Sequence, residues 1–129
     1  MKVADIATVY NESASIDQLL ESLSTGSKVP DEIVITDAGS TDGTWPKLKS
    51  WEGRLTYLKT FQIPGNRSVG RNKALELTSA EIVAVTDAGV RIDQKWLEEI
   101  MVPFLDPAVG VVAGFYHCEA DTAFEQGMC

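Results

Sequence analysis

Two stretches of the chain are near copies of each other: Glu32–Gly39 (EIVITDAG) and Glu81–Gly89 (EIVAVTDAG). Each is an unbroken apolar, β-branched run that ends in Thr-Asp-Ala-Gly. A run with no polar alternation suits a strand buried on both faces, as in a parallel sheet covered by helices. That constrains what lies between and around the two runs. Parallel strands need crossover connections, usually helical. The rest of the chain supplies them. Val3–Val9 (VADIATV) reads as a strand. Ser13 or Ser15 can cap a helix carrying Ile16, Leu19, Leu20 and Leu23, with Gly26 as its stop. Glu32–Thr36 is the next strand, and Thr44–Glu52 a short helix ended by Gly53, with Pro46 in its first turn. Arg54–Thr60 reads as a strand, Ser68–Leu77 as a helix and Glu81–Thr86 as a second fully buried strand. Gln94–Leu105 places Trp96, Leu97, Ile100 and Met101 at helical spacing until Pro103, and Val109–Tyr116 reads as a strand. This βα alternation predicts an α/β three-layer α/β/α sandwich around a mostly parallel sheet. No linker or low-complexity tract divides it, so residues 1–129 are expected to form a single domain.

Charge and composition exclude several kinds of partner. Nineteen acidic against eleven basic residues leave a formal charge of −8. No basic stripe is present, so nucleic acid is not an expected partner. No stretch approaches the ~20 apolar residues of a membrane helix. The N-terminus lacks a signal-peptide pattern, so the expected location is cytoplasmic, or the inner face of the membrane through regions outside this chain. Cys118 and Cys129 form no CxxC and are expected to be free thiols. Thr122–Glu125 (TAFE) is a capping box followed only by Gln126–Cys129, so the chain is expected to be truncated.

In open α/β sheets ligands bind beyond the carboxyl ends of the strands, where Asp37 and Asp87 would both lie. Gly39 and Gly89 permit a sharp turn or a close ligand approach there. A single such Asp would serve equally well as a turn cap; two matching edges point to a site. The loop Gly39–Thr44 (GSTDGT) offers backbone N–H groups and hydroxyls to a phosphate or sugar, although neither GxxxxGK[ST] nor GxGxxG occurs. Gly65–Lys73 (GNRSVGRNK) gathers Arg67, Arg71 and Lys73 near a helix start. Arg pairs bidentately with phosphate oxygens, and the helix N-terminus adds partial positive charge. Tyr10, Asn11 and Glu12 follow the first strand, where Tyr10 could stack on a base and Glu12 accept its hydrogen bonds.

Taken in order, these segments resemble the nucleotide-binding half of a family 2 glycosyltransferase with the Rossmann-like GT-A fold, from about Val3 to Tyr116. The resemblance rests on Val9–Glu12 (VYNE), Asp37–Thr44 (DAGSTDGT), Arg71-Asn72 opening a helix, and the Asp87–Gly89 turn (DAG) before a Trp-Leu helix. It implies a nucleotide-diphospho-sugar donor, with the sugar passing to a hydroxyl of a saccharide, lipid or other acceptor. Tyr10 and Glu12 would line the base pocket, with Asp37 at the base or ribose. Arg67 and Arg71 would face the nucleotide or its diphosphate, and Asn11, Gly39 and Ser40 complete the set. Asp87 matches the first Asp of the family's D-x-D, which contacts the ribose and a divalent cation, Mg²⁺ or Mn²⁺, that acts as Lewis acid. Two positions depart from the pattern: Ala38 replaces a second base-reading Asp, and Gly89 replaces the second D-x-D carboxylate. Asp87 is then the single metal candidate, where a hard cation wants several oxygens; Asp93 is the next acid along. The family's general base lies in the later half, beyond residue 129. This polypeptide alone is therefore expected to bind donor but transfer sugar poorly or not at all, in a reaction that inverts the anomeric carbon.

The remaining candidates read more simply. His117 lacks an obvious partner, Trp45, Trp51 and Trp96 sit at core spacing, Asp42 suits a turn or helix start, and Cys118 is structural. Two other functions fit the βα order. A phosphoacceptor receiver needs an acidic pair after the first strand and a Lys after the last; Tyr10–Glu12 supplies one acid and Tyr116–Cys118 no Lys. A non-catalytic nucleotide-sugar-binding or assembly module would account for Ala38 and Gly89 as lost catalysis. Apolar surface left uncovered at the chain's end would favour a homo-oligomer.

Overall fold

The computed structural model describes residues 2–89, 92–106 and 108. The chain divides into two compact units, 1–97 and 98–129. Val109–Tyr116, His117, Cys118, the Thr122–Glu125 box and Cys129 lie outside the described residues.

The first unit contains a four-stranded sheet: β1 (Val3–Val9), β2 (Glu32–Asp37), β3 (Leu58–Gln62) and β4 (Ile82–Val85), in the order β3-β2-β1-β4. Every pairing is parallel, with Ala7 beside Ile35, Val9 beside Asp37 and Asp37 beside Gln62. Alternation of side chains then sorts the strands onto two faces. Ala7, Val9, Ile33, Ile35 and Leu58 pack under Leu19, Leu20 and Leu23 of α1 (Ile16–Thr25) and Leu48 and Trp51 of α2 (Thr44–Arg54). On the opposite face Ile6 and Val34 meet Ala74 of α3 (Arg67–Leu77), with Phe61 and Val83 alongside. Helices on both faces of a parallel sheet make the expected three layers.

One contact sets how closely α3 approaches. The Thr8 and Thr36 hydroxyls bond each other at 2.9 Å across β1 and β2. Gly70 lies over them, and a Cβ there would fall 2.6 Å from both Thr36 Oγ1 and Thr8 Cγ2. Only glycine lets α3 lie this near the sheet.

Several boundaries differ from the sequence expectation. Helix α2 does not stop at Gly53 but runs through it to Arg54, whose guanidinium lies 4.0 Å over the Trp51 ring. Leu55 N–H donates to Trp51 O at 2.9 Å and closes the helix. With Arg54 helical, the strand cannot begin there. Strand β3 starts at Leu58, after a turn in which Leu58 N–H donates to Leu55 O. Sheet register then pairs Leu58 with Ile33 and Gln62 with Asp37. Helix α3 opens at Arg67, not Ser68, because Asn66 Oδ1 caps it by accepting from Val69 N–H at 3.0 Å. Arg71-Asn72 therefore occupies its second turn instead of opening it. Strand β4 is shorter than expected and not fully buried. It stands last in the described strand order, and Val85 is exposed. The helix after it, α4 (Trp96–Met101), gives way to a 3₁₀ turn at Val102–Leu105, where Pro103 has no N–H for the α-helical ladder. In α4, Leu97 is buried and Trp96 half-buried. Trp51 fills the core and the half-buried Trp45 packs against it, and Trp51 Nε1–H also donates to Asp17 Oδ1 at 2.8 Å.

Candidate functional site

The carboxyl ends of β1 and β2 and the start of α3 meet at one edge of the sheet. Two loops leave that edge side by side, and hydrogen bonds between them clamp them together. Asp37, the fully buried last residue of β2, accepts from Gly39 N–H, Ser40 N–H and Ser40 Oγ–H on one oxygen, Oδ1. Ser40 Oγ in turn accepts from Asn11 N–H at 2.8 Å, and Asn11 Oδ1 accepts from Thr41 N–H at 2.8 Å. Asn11 has φ 51°, a left-handed conformation that Asn tolerates better than most residues. Next to it, Glu12 N–H donates to Thr44 Oγ1, and Glu12 Oε2 accepts from Ser15 Oγ–H at 2.7 Å. Ser15 is thus the residue before α1, but its hydroxyl serves Glu12 instead of capping the helix.

Asp42 fastens the second loop to α2 by accepting from Thr44 N–H and Thr44 Oγ–H, and to the first loop by accepting from Ser13 N–H. These bonds, the Thr44 hydroxyl foremost, hold its carboxyl at about 2, below the usual aspartate value. Asp42 is the helix-start residue its position suggested.

Between these loops and α3 lies a cavity of about 400 Å³. Strand β1 gives it Thr8 and Val9, and the following loop Tyr10 and Glu12. Ala38 comes from the β2 loop, Gly65 from the turn before α3, Arg67 from the first position of α3, and Asp87 from the segment after β4. Tyr10 is 57% exposed, a large ring open to solvent. Arg67 Nη1 stands 3.9 Å from Asp87 Oδ2, while Asp87 Oδ1 accepts from Gly89 N–H at 3.0 Å. The two repeated Thr-Asp-Ala-Gly phrases do converge on one edge, but with different tasks. Asp37 is buried and organises its loop; Asp87 stays half-exposed at the cavity.

Of the residues expected at a site, Tyr10, Glu12, Arg67 and Asp87 line the cavity together. Asn11, Gly39 and Ser40 form the clamp behind it. Asp37 precedes the lining residue Ala38, and its second oxygen, Oδ2, is buried without a hydrogen-bond partner. Arg71 is exposed on the second turn of α3 and is not among the lining residues. Sequence reading did not single out Thr8, quoted Val9 and Gly65 only as the first residues of motifs and not as lining residues, and missed the Gly70–Thr8–Thr36 contact that seats α3. Glycine in a helix opposite threonines on strands is the signal that was available.

Among the described residues no three His, Cys, Asp or Glu side chains converge as a metal site. At the cavity Asp87 has one oxygen on a backbone N–H and the other facing a guanidinium. Asp87 is thus one available carboxylate for a divalent cation, which takes six or more oxygens and would draw the others from phosphates and water.

Among the described residues no helix is long and apolar enough to cross a membrane. The profile of Glycosyl transferase family 2 matches residues 6–128. A validoxylamine A glucosyltransferase of Streptomyces hygroscopicus subsp. limoneus is 31% identical over 107 residues, which is 80% of this chain and 24% of that protein. Among solved structures, the mannosyltransferase PcManGT from Pyrobaculum calidifontis, in complex with GDP-Man and Mn²⁺, superposes with a TM-score of 0.76 at 28% identity. That match covers 84% of this chain and 34% of the other. S. aureus TarS 1-349 in complex with UDP-GlcNAc gives a TM-score of 0.68 at 30% identity over 83% of this chain and 32% of that one. The chain spans roughly a quarter to a third of the length of these relatives. The parallel sheet, the donor-side motifs and the family match lead to one conclusion: the chain belongs to glycosyl transferase family 2.

Proposed function

We propose that this chain is the donor-binding part of a glycosyltransferase that moves a sugar from a nucleotide-diphospho-sugar to an acceptor hydroxyl, with inversion. The observation that carries the reading is the cavity at the carboxyl edge, where Tyr10, Glu12, Arg67 and Asp87 converge beside Asp37. Tyr10 offers a ring for base stacking. Glu12 accepts hydrogen bonds from base or ribose, and the buried Asp37 supports that side of the site by holding the Gly39–Ser40 turn next to the lining residue Ala38. Arg67, at the N-terminus of α3, meets the diphosphate, whose negative charge grows as the sugar–oxygen bond breaks. A guanidinium and a helix N-terminus aimed there stabilise the departing nucleoside diphosphate. Similar structures are complexes with UDP-GlcNAc and with GDP-Man, so both bases are to be tried. A divalent cation, as in the mannosyltransferase complex, would supply further charge neutralisation, with Asp87 as the available carboxylate. The general base and the acceptor pocket, for a saccharide, lipid or other hydroxyl compound, are assigned to regions outside this chain. A cytoplasmic location, or one at the inner face of the membrane through regions outside this chain, and self-association belong to the same proposal.

The test is calorimetric titration of the chain with UDP, GDP and their common sugar conjugates. Arg67→Ala should weaken binding by about 10–100-fold, the loss of a charge-assisted hydrogen bond, and Arg71→Ala by much less. A folded chain that binds none of these nucleotides, or one indifferent to Arg67→Ala, would refute the reading. Ala38 and Gly89 favour a second reading, a non-catalytic nucleotide-sugar-binding module. Sugar transfer by a longer form containing the later half would exclude it.

A further inference from the structure

Strand β1 carries one acid among its apolar residues. Asp5 lies mid-strand between Ile33 of β2 and Ala84 of β4, with no exposed surface. Its Oδ2 accepts from Thr86 Oγ–H at 2.8 Å, while its Oδ1 has no hydrogen-bond partner. Burial keeps this carboxyl in its neutral form, pushed up to about 8. Val3, Ala7 and Val9 share the Asp5 face of β1 and are all buried apolar residues, so packing alone would be served by another.

What the polar pair adds lies at its other end. Thr86 follows β4 directly and precedes Asp87. Its N–H donates to Ile6 O at 3.0 Å, continuing the ladder, and its hydroxyl adds a side-chain tether into the middle of the sheet. Asp87 itself is held loosely, by Gly89 N–H and by Arg67 at 3.9 Å. The direction in which the Asp87 carboxylate enters the cavity is therefore set largely by how Thr86 is fixed. We propose that Asp5 and Thr86 are a positioning pair that holds Asp87 at the donor cavity, opposite Arg67. This rests on the reading of that cavity as the donor site. Neither residue touches the ligand; both act through Asp87.

The experiment measures UDP and GDP affinity of single and paired variants by calorimetry, with melting temperature read alongside. Thr86→Val removes the hydroxyl at nearly constant shape and should weaken binding about tenfold, while Thr86→Ser restores it. In an Asp87→Ala background, Thr86→Val should change affinity no further, because the pair has nothing left to position. The double variant Asp5→Leu/Thr86→Val replaces both partners by apolar groups, an exchange that can leave stability nearly unchanged. It should melt near the parent chain yet still bind weakly. Wild-type affinity in that double variant would overturn the proposal. So would an effect of Thr86→Val that persists undiminished without Asp87, since that marks a purely structural role. If Asp87→Ala alone leaves binding intact, or neither nucleotide binds the parent chain, the donor-site reading falls and the positioning role falls with it.

Discussion

At the scale of single residues, the site is held by groups whose chemistry is spent on neighbours more than on solvent. Gly70 is the sharpest example. A methyl at this position would sit 2.6 Å from Thr36 Oγ1 and Thr8 Cγ2, on a pair of hydroxyls that are themselves bonded. Gly70→Ala should therefore cost about 1–3 kcal/mol by overpacking, despite alanine's better helix propensity. Chemical denaturation checks this, and the displaced α3 should also weaken nucleotide binding. Asp5 gives a second prediction, in pH. Its carboxyl titrates near 8 when folded against 3.8 when exposed, so the folded state holds the proton more tightly. Its contribution to stability is then complete below about pH 4 and is lost as pH rises through about 8, at a slope of up to ~1.4 kcal/mol per unit. Asp42 acts oppositely and elsewhere: its carboxyl, lowered to about 2, supports the fold above pH 3.8 and loses that support as pH falls through about 2. Melting temperature followed from pH 4 to 9 should decline, and Asp5→Asn should flatten the decline. A flat profile in the parent chain would show Asp5 to be ionised in the fold.

At the scale of elements, hydrophobic pattern decided which segments are helices and strands, and hydrogen bonding decided where they end. The stripe Ile16, Leu19, Leu20 and Leu23 specified α1, and all four are buried under the sheet. Leu20 has no exposed surface, so Leu20→Ala should cost about 2–5 kcal/mol as transfer loss plus a cavity, measured by urea unfolding. Ends were harder to read. Gly53 looked like a stop, yet Arg54 stacking on Trp51 and the Leu55-to-Trp51 bond carry α2 past it. Beyond it, Glu52 Oε2 accepts from both the N–H and the hydroxyl of Thr60, a tie between α2 and β3 that no local pattern announces. Arg71 shows the same limit on the site side. Its place in the basic patch at a helix start suggested a second phosphate ligand, but α3 opens at Arg67, so Arg71 stands one turn further along and is not among the lining residues.

At the scale of the whole molecule, the proposed function requires a chain of net charge −8 to hold an anionic ligand. The cavity offers one guanidinium at a helix start, and among the described residues no three metal-ligating side chains cluster. We expect EDTA to change nucleotide affinity of this chain by less than about tenfold, or ~1.4 kcal/mol; a larger, Mn²⁺-reversible loss in calorimetry would show that Asp87 suffices as a protein ligand. The chain's own residues determined the architecture, because buried β-branched runs alternating with amphipathic stretches leave few ways other than a covered parallel sheet. They also placed Tyr10, Glu12, Arg67 and Asp87 at one edge, since each follows a strand or opens a helix there. Only the tertiary structure decided which member of each repeated phrase does what. Asp37 and Asp87 stand in the same local sequence, but β2 lies inside the sheet, next to β1 and the clamped loops, and buries its Asp. The segment after β4 leaves Asp87 half-exposed. The tether between Asp5 and Thr86 is of the same kind: residues this far apart in the chain meet because β1 and β4 are neighbours, a pairing no local pattern contains.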